Sequence, residues 1–399
     1  MSRPLEGVRV LDLTNVLMGP LATQMLGDMG ADVVKVEAPG GDTVRGVGPG
    51  RSRGMGPIFL NLNRSKRSLV LDLKQEAARA ALKRLARSAD VFVSNIRPKA
   101  LARLGLGYAE LAAEKPDIIY AALVGYGQDG PYADWPAYDD LIQGASGVPS
   151  LLAEASGGEP RYVPMTMADR MVGLTAASQI LAALFHRCNT GEGQQIEIPM
   201  FEVLATHVLG DHMGGLTYEP NIGAWGYRRL LSQERRPYRT RDGHLCVLIY
   251  SDRQWTSFLG AVGRADALED PRFADISSRT RHIDELYREL AGIMTTRTTA
   301  QWLEMMRAFD IPAMELKTPA TLLEDPHLRA VGLVEDIEHP SEGRVRTFRE
   351  PSRWSRTQPR SQRPTPRLGQ HSSEILAEAG FSDDEIDALR AGGALGATS

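Results

Sequence analysis

The chain has 399 residues, enough for two or three domains, and its 42% apolar and 24% charged content is ordinary for a folded protein. A formal net charge of −4 gives no general attraction for nucleic acid or an anionic membrane, and no run is long and apolar enough to span a bilayer. Two distant cysteines, Cys188 and Cys246, indicate neither a disulfide framework nor a metal site; acidic Glu6 and Asp12, with no long apolar block ahead of the first strand, argue against a targeting peptide, so a cytoplasmic location is expected.

In chain order, VRVLDLT (8–14) is rich in branched residues and predicts a buried strand. Gly19-Pro20 opens a helix to about Gly27, and ADVVKVE (31–37) is the next strand, completing a βαβ unit. RSLVLDL (67–73), a helix over QEAARAALKRLARSA and the strand DVFVSN (90–95) repeat the pattern. Helices near 98–103 and 108–115 then precede the strand DIIYAALV (117–124). Such alternation predicts a large, doubly wound, Rossmann-like α/β domain with right-handed connections, its N-terminal part spanning 1–213. Residues 164–201, PMTMADRMVGLTAASQILAALFHRCNTGEGQQIEIPMF, predict a long apolar helix that ends by Gly191 and Gly193, followed by a short strand. FEVLATHVLGDHM is helical, and 214–237, rich in Gly, Pro and Arg, has the composition of a linker. A hairpin around Asp242-Gly243 and helices near 253–263, 282–295 and 299–309 predict a small α+β domain over 238–325. Strands near 333–339 and 344–349 follow, and Ser382 with Glu385 forms a capping box for the last helix.

The chemistry concentrates at Asp169, at the mouth of the long helix. Unpaired backbone N–H groups there hold anionic groups in a fixed direction, which suits catalysis; an N-cap is the ordinary role of an Asp at such a place. Gly125-Tyr126-Gly127-Gln128-Asp129-Gly130 satisfies a dinucleotide fingerprint, but Pro131 and Pro136 follow where a helix would have to begin, so nicotinamide binding is rejected. The histidines show no metal spacing, and no G-x-S-x-G elbow occurs. The arginine-rich run 344–367 is broken by four prolines and reads as a solvated strand and extended connection. Cys188, after the apolar helix, reads as a buried or half-buried thiol. Basic residues near strand ends, Arg64, Lys66, Arg67 and Lys74 with Arg97, Lys99 and Arg103, are candidates for phosphate groups, since ligands of open α/β sheets bind beyond the carboxyl ends of strands.

Asp169, with Ala183-Leu184-x-x-Arg187 and Thr190-Gly191-x-Gly193-Gln194 behind it, resembles the class III (CaiB/BaiF-type) coenzyme A transferases. The opening LEGVRVLDLTNVLMGPLATQMLGDMGADVVKVEAPGGD, then NLNRSKRSLVLDLK (61–74), SNIRPKALARLGLGY (94–108), GYGQDGPYADWPAYD (125–139) and PRLGQHSSEILAEAGFSDDEIDAL (366–389) match the same family in order. The resemblance implies an acyl-CoA:carboxylate CoA-transferase with Asp169 as nucleophile, acylated first as a mixed anhydride and then as an aspartyl-CoA thioester. It implies coenzyme contacts at Val16, Leu71, Lys74, Asn95, Ile96, Arg97, Arg103 and Tyr138. No metal and no cofactor beyond coenzyme A itself are expected. It also implies that 326–399 returns to the large domain and that two chains interlock as a homodimer, with crossings at 205–237 and 310–340. Neither nucleic acid nor a membrane is an expected partner.

The chain departs from the better-known members at Leu17-Met18, where several carry a polar residue, at Ala38 in place of an arginine, and at 214–237, which lacks a glycine-rich lid. These departures argue against a formyl/oxalate pair. The rival within the fold is an α-methylacyl-CoA racemase, which needs acid/base groups on both sides of the α-carbon. Where racemases carry Gly-His-Asp this chain has Ala137-Tyr138-Asp139, and a phenol of ordinary pKa near 10 is a poor base at neutral pH, which favours transfer.

Overall fold

Six parallel strands frame the larger of two units in the computed structural model, which describes residues 3–396. β1 (Arg9–Leu13), β2 (Asp32–Glu37), β3 (Lys66–Val70), β4 (Val91–Ser94), β5 (Ile119–Val124) and β6 (Gln194–Pro199) pair in the order β3-β2-β1-β4-β5-β6. β3, β4 and β5 are buried along their whole length, as expected of strands covered on both faces, which is why they read as near-continuous apolar runs. The helices along this part of the chain are α1 (Met18–Asp28), α2 (Pro57–Leu62), α3 (Glu76–Ala86), α4 (Pro98–Arg103), α5 (Tyr108–Glu114), α6 (Asp139–Ala145), α7 (Val148–Ser156), which belongs to the smaller unit, α8 (Met167–Thr190) and α9 (Met200–His212), which only begins in the larger one. This unit comprises residues up to 146, 164–205 and from 326 onward.

Its core joins distant parts of the chain. Leu69, Leu82, Leu85 and Phe92 pack with Ile375, Leu376, Ile386 and Leu389 from the helices Ser372–Glu378 and Asp383–Ala391. The tail also extends the edge of β3 through Asp72 N–H to Ala394 O at 3.0 Å and Gly396 N–H to Val70 O at 3.2 Å. The last helix has the expected capping box between Ser382 and Glu385. A hairpin of β10 (Val334–His339) and β11 (Gly343–Phe348) belongs to the same unit.

Charges lie inside this core, and each has partners. Lys66 Nζ meets Asp12 at 3.0 Å and Lys35 Nζ meets Asp42 at 3.0 Å, with all four side chains fully enclosed. Arg45 is paired with Glu37 at 2.7 Å and lies over the Phe59 ring. Burial opposes the charge on Asp12, but Lys66, Lys35 and the hydroxyls of Thr14 and Thr23 hold its pKa down at about 2.

The smaller unit comprises 147–163 and 206–325. β7 (Tyr238–Arg239), β8 (His244–Val247) and β9 (Ala313–Glu315) form its antiparallel sheet, β7 and β8 being the hairpin expected around Asp242-Gly243. Helices Asp252–Ala261, Ile283–Met294 and Thr299–Ala308 pack Trp255, Phe258, Leu286, Leu290, Trp302 and Met306 into its core. Residues 214–237, with a linker's composition, carry the short helices Gly214–Thr217 and Arg228–Leu231. Arg229 Nε donates to Tyr287 Oη at 2.9 Å and Ser232 bonds to Asp284, so the segment is docked on its own unit. Among the described residues no helix is long and apolar enough to cross a membrane.

Candidate active site

The strand order reverses between β1 and β4, and in open α/β sheets the crevice at that switch point, beyond the carboxyl ends of the strands, is where ligands bind. A cleft of about 290 Å³ lies there. Asn15 and Val16 enter it after β1, Asn95, Ile96 and Arg97 after β4, and Leu123 to Gly125 at the end of β5. The first turns of α1, α6, α8 and α9 bring Met18, Asp139, Asp169 and Met200 to the same wall.

The turn after β1 is held in an unusual shape. Val16 has φ 70°, a left-handed conformation that a β-branched residue normally avoids. The surroundings enforce it: the Val16 N–H is held by Asp42 Oδ1 at 3.1 Å, and Lys35 Nζ donates to Thr14 O at 2.8 Å. The Asn95 side chain completes the frame, accepting from Asn15 N–H at 3.0 Å and donating to Asn15 O at 2.9 Å. The buried ion pairs thus fix a strained turn in the wall of the cleft, as strain concentrated at functional sites requires.

Asp169 is the third residue of α8, in its first turn, and its side chain makes no capping bond among the described residues. Its backbone N–H is satisfied instead by Asp139 Oδ1 at 2.9 Å, and Gln143 Nε2 holds the other Asp139 oxygen at 2.6 Å. Asp169 is only 8% exposed, and no hydrogen bond reaches its carboxylate among the described residues. Burial, reinforced by the nearby Asp139 and opposed by Arg170, pushes its pKa up to about 7. A carboxyl raised in this way disfavours its own ionised form in the fold, so native stability is lost as pH rises from about 4 through 7. Asp169→Asn is expected to stabilise the protein at pH 8 by on the order of 1–4 kcal/mol and to change little at pH 4, which denaturant melts at the two pH values will check.

One glycine sets how close α8 comes to the turn. A Cβ on Gly173, one helical turn beyond Asp169, would lie 2.7 Å from Met18 O and 3.1–3.2 Å from Leu21 atoms. Gly173→Ala must therefore push α8 away from α1 and carry Asp169 with it; a loss of turnover of about 10-fold or more, with folding retained by circular dichroism, is expected. At the other end, Arg187 Nη2 pairs with Asp90 at 2.7 Å, and Gly191 (φ 78°) ends the helix by donating to Arg187 O.

Loop 125–138 closes another side. The Gly127 and Gln128 N–H groups are taken by Glu202 at 2.8 Å and Glu197 at 3.0 Å, and the next helix starts only at Asp139, so these glycines make no phosphate cradle.

Val16, Asn95, Ile96, Arg97, Tyr138 and Asp169 therefore converge on one cleft. Arg103 lines an adjoining recess of about 510 Å³ together with Lys99 and Asp134, and Arg97 borders both. Leu71 does not join them; its side chain is buried in the core. Lys74 is exposed and borders neither space. The phosphate role considered for Arg64, Lys66 and Arg67 is not available: they sit at the amino end of β3 and are paired with Asp28, Asp12 and Asp32 at 2.6–3.0 Å. Cys188 is exposed, not buried as its position after an apolar helix implies, because the face of α8 that carries it is open within this unit. Asp139, Met200 and Trp135, to which no sequence motif assigns a role, also line the cleft.

The family model of CoA-transferase family III matches residues 5–372. A succinate–glutarate CoA-transferase of Agrobacterium fabrum is 34% identical over 386 residues, covering 94% of this chain and 95% of its own length. The succinyl-CoA:glutarate CoA-transferase of Homo sapiens is 31% identical and covers 96% of this chain and 87% of its own. Among solved structures, Rv3272 from Mycobacterium tuberculosis superposes with TM-score 0.82 at 31% identity, over 94% of this chain and 99% of that one. A CAIB/BAIF family protein from Brucella suis does so with TM-score 0.79 at 30% identity, over 95% and 100%.

Proposed function

Since the chain belongs to CoA-transferase family III, we propose that it moves coenzyme A from an acyl-CoA to a carboxylic acid with Asp169 as the covalent relay. The observation that carries this reading is a carboxylate without hydrogen-bond partners among the described residues, almost enclosed, facing a cleft at the sheet's switch point. Its raised pKa makes it a stronger nucleophile than an ordinary aspartate while leaving a substantial ionised fraction at neutral pH.

The Asp169 oxygen attacks the thioester carbonyl, the C–S bond breaks, and a mixed anhydride and CoA thiolate result. The thiolate attacks the aspartyl carbonyl, releasing the donor acid and leaving an aspartyl-CoA thioester. The acceptor carboxylate attacks that carbonyl, expelling the thiolate and forming a second anhydride. The thiolate then takes the acceptor's acyl group, and Asp169 returns as a carboxylate. Every intermediate stays activated, so no outside energy source enters. Arg97 and Arg103 at the adjoining recess supply the charge for the coenzyme's phosphates, Lys99 beside them being paired with Asp134.

Single-turnover acylation is expected to rise with pH and level off above about 7, as Asp169 ionises. Arg97→Ala with Arg103→Ala is expected to raise KM for acyl-CoA about 10-fold or more, with a smaller change in kcat. Incubation of succinyl-CoA and other acyl-CoAs with a panel of carboxylic acids tests the activity, transfer requiring both partners. Deuterium entering the α-carbon of a branched acyl-CoA without any acceptor acid would replace transferase with racemase. Tyr138, 67% exposed ahead of α6, is not the base such a reaction needs. The working form we propose is an interlocked homodimer in the cytoplasm; a monomer by light scattering would contradict the first part.

A further inference from the structure

The aspartyl intermediates react with water, so the wall beside Asp169 decides whether acyl groups are transferred or lost. Loop 125–138 provides an aromatic wall there. Trp135 lines the cleft that contains Asp169, yet it is 56% exposed, an unusual cost for so large an apolar group. It is not loose. Its ring stacks on Tyr132 with centroids 4.3 Å apart at 30°, and both rings meet Tyr126 edge-on at 5.6 and 6.4 Å. Tyr126 in turn rests against Phe201 at 5.7 Å. The loop beneath is pinned by Glu197 and Glu202 and by Gln128 Nε2, which donates to Tyr126 O at 2.9 Å and Ala133 O at 3.3 Å.

The position of this wall selects its ligand. The cations Lys99 and Arg103 line the adjoining recess, which Trp135 does not enter, while Arg97, Pro98, Gln128 and Ala133 border both spaces. A coenzyme with its phosphates in the recess passes its thiol-bearing arm across that border and along the indole to reach Asp169.

We propose that Trp135, preorganised by Tyr132 and Tyr126, covers the pantetheine arm and the acylated Asp169, and so sets the ratio of transfer to hydrolysis. The proposal rests on the CoA-transfer reading above. In the reaction it suppresses, a water oxygen adds to the aspartyl carbonyl and the C–S bond breaks. Free coenzyme A leaves with a proton from that water, and Asp169 retains the water's oxygen in its carboxylate.

The test uses the full-length enzyme with succinyl-CoA, with and without an accepted carboxylic acid, in water enriched in oxygen-18. Trp135→Ala is expected to raise hydrolysis relative to transfer about 10-fold or more and to speed oxygen-18 entry into the Asp169 peptide. Trp135→Phe, which keeps an aromatic ring against Tyr132, is expected to restore most of the wild-type ratio. Quenching of tryptophan fluorescence by coenzyme A is expected in the wild type and weakened in both variants. An unchanged ratio in a folded Trp135→Ala enzyme that still transfers overturns the proposal, as does equal hydrolysis by the Phe and Ala variants. A wild type that exchanges coenzyme A with no acid in the panel contradicts the CoA-transfer reading itself, a result distinct from either.

Discussion

Replacing Asp169 with alanine is expected to lower CoA transfer by at least about 10³-fold while coenzyme A binding remains within a few-fold of wild type. The two effects separate because the group belongs to the cleft but not to its frame. Its carboxylate makes no hydrogen bond among the described residues, and the N-terminus of α8 is held through the backbone N–H to Asp139, which alanine keeps. Asp169→Ala also removes a buried group whose ionised form is disfavoured, so the variant should melt no lower than wild type at pH 8. Isothermal titration with coenzyme A and an exchange assay on the same preparation check both halves. Loss of binding together with activity would mean that Asp169 supports the site instead of reacting in it.

The second large effect is expected far from the reacting atoms. Lys35→Met should destabilise the larger unit by about 3–5 kcal/mol, because it leaves Asp42 as an uncompensated charge and Thr14 O without its donor in a place water does not reach. Adding Asp42→Asn should recover part of that loss, since the pair is coupled and the neutral amide removes the stranded charge. Activity should stay impaired in the double variant, because the Val16 turn depends on the Asp42 oxygens and on the Lys35 bond to Thr14. Thermal unfolding and turnover measured on the single and double variants check the two claims separately. Full activity in the double variant would show that the turn keeps its shape without this network.

How far the sequence could be read depended on which interactions are local. β1, β2, β4 and β5 are legible because strands buried on both faces read as apolar runs, and α8 is legible from its apolar length and its glycine stop at Gly191. Asp169 stands out because it starts that helix. The charged residues inside β1, β2 and β3 were harder to interpret. Lys66 and Arg67 look like phosphate ligands from their position next to a strand, but β3 begins with them, so they face away from the carboxyl ends where ligands bind. Their partners Asp12 and Asp32 are 54 and 35 residues away, a distance over which spacing carries no information. A usable signal was nonetheless present, since a charge within a strand covered on both faces must find a partner.

Asp139 is silent in the sequence for a similar reason: it meets the start of α8 across 30 residues of chain, and nothing in PAYDD announces that contact. Trp135 lies in an irregular loop, where no periodicity assigns a direction to a side chain. A family match fixes the position of Leu71 along the chain but not which way its side chain faces; here the side chain faces the core. The docking of 214–237 rests on pairs such as Arg229 with Tyr287, which composition alone cannot show.

The most direct measurement is the mass of the peptide containing Asp169 after the enzyme is incubated with an accepted acyl-CoA and digested at low pH. An adduct of coenzyme A less one water is expected on Asp169, formed with the donor acid released and discharged when an acceptor acid is added. Rapid transfer with no adduct on that peptide, or an adduct that forms equally well in Asp169→Ala, would contradict the covalent relay.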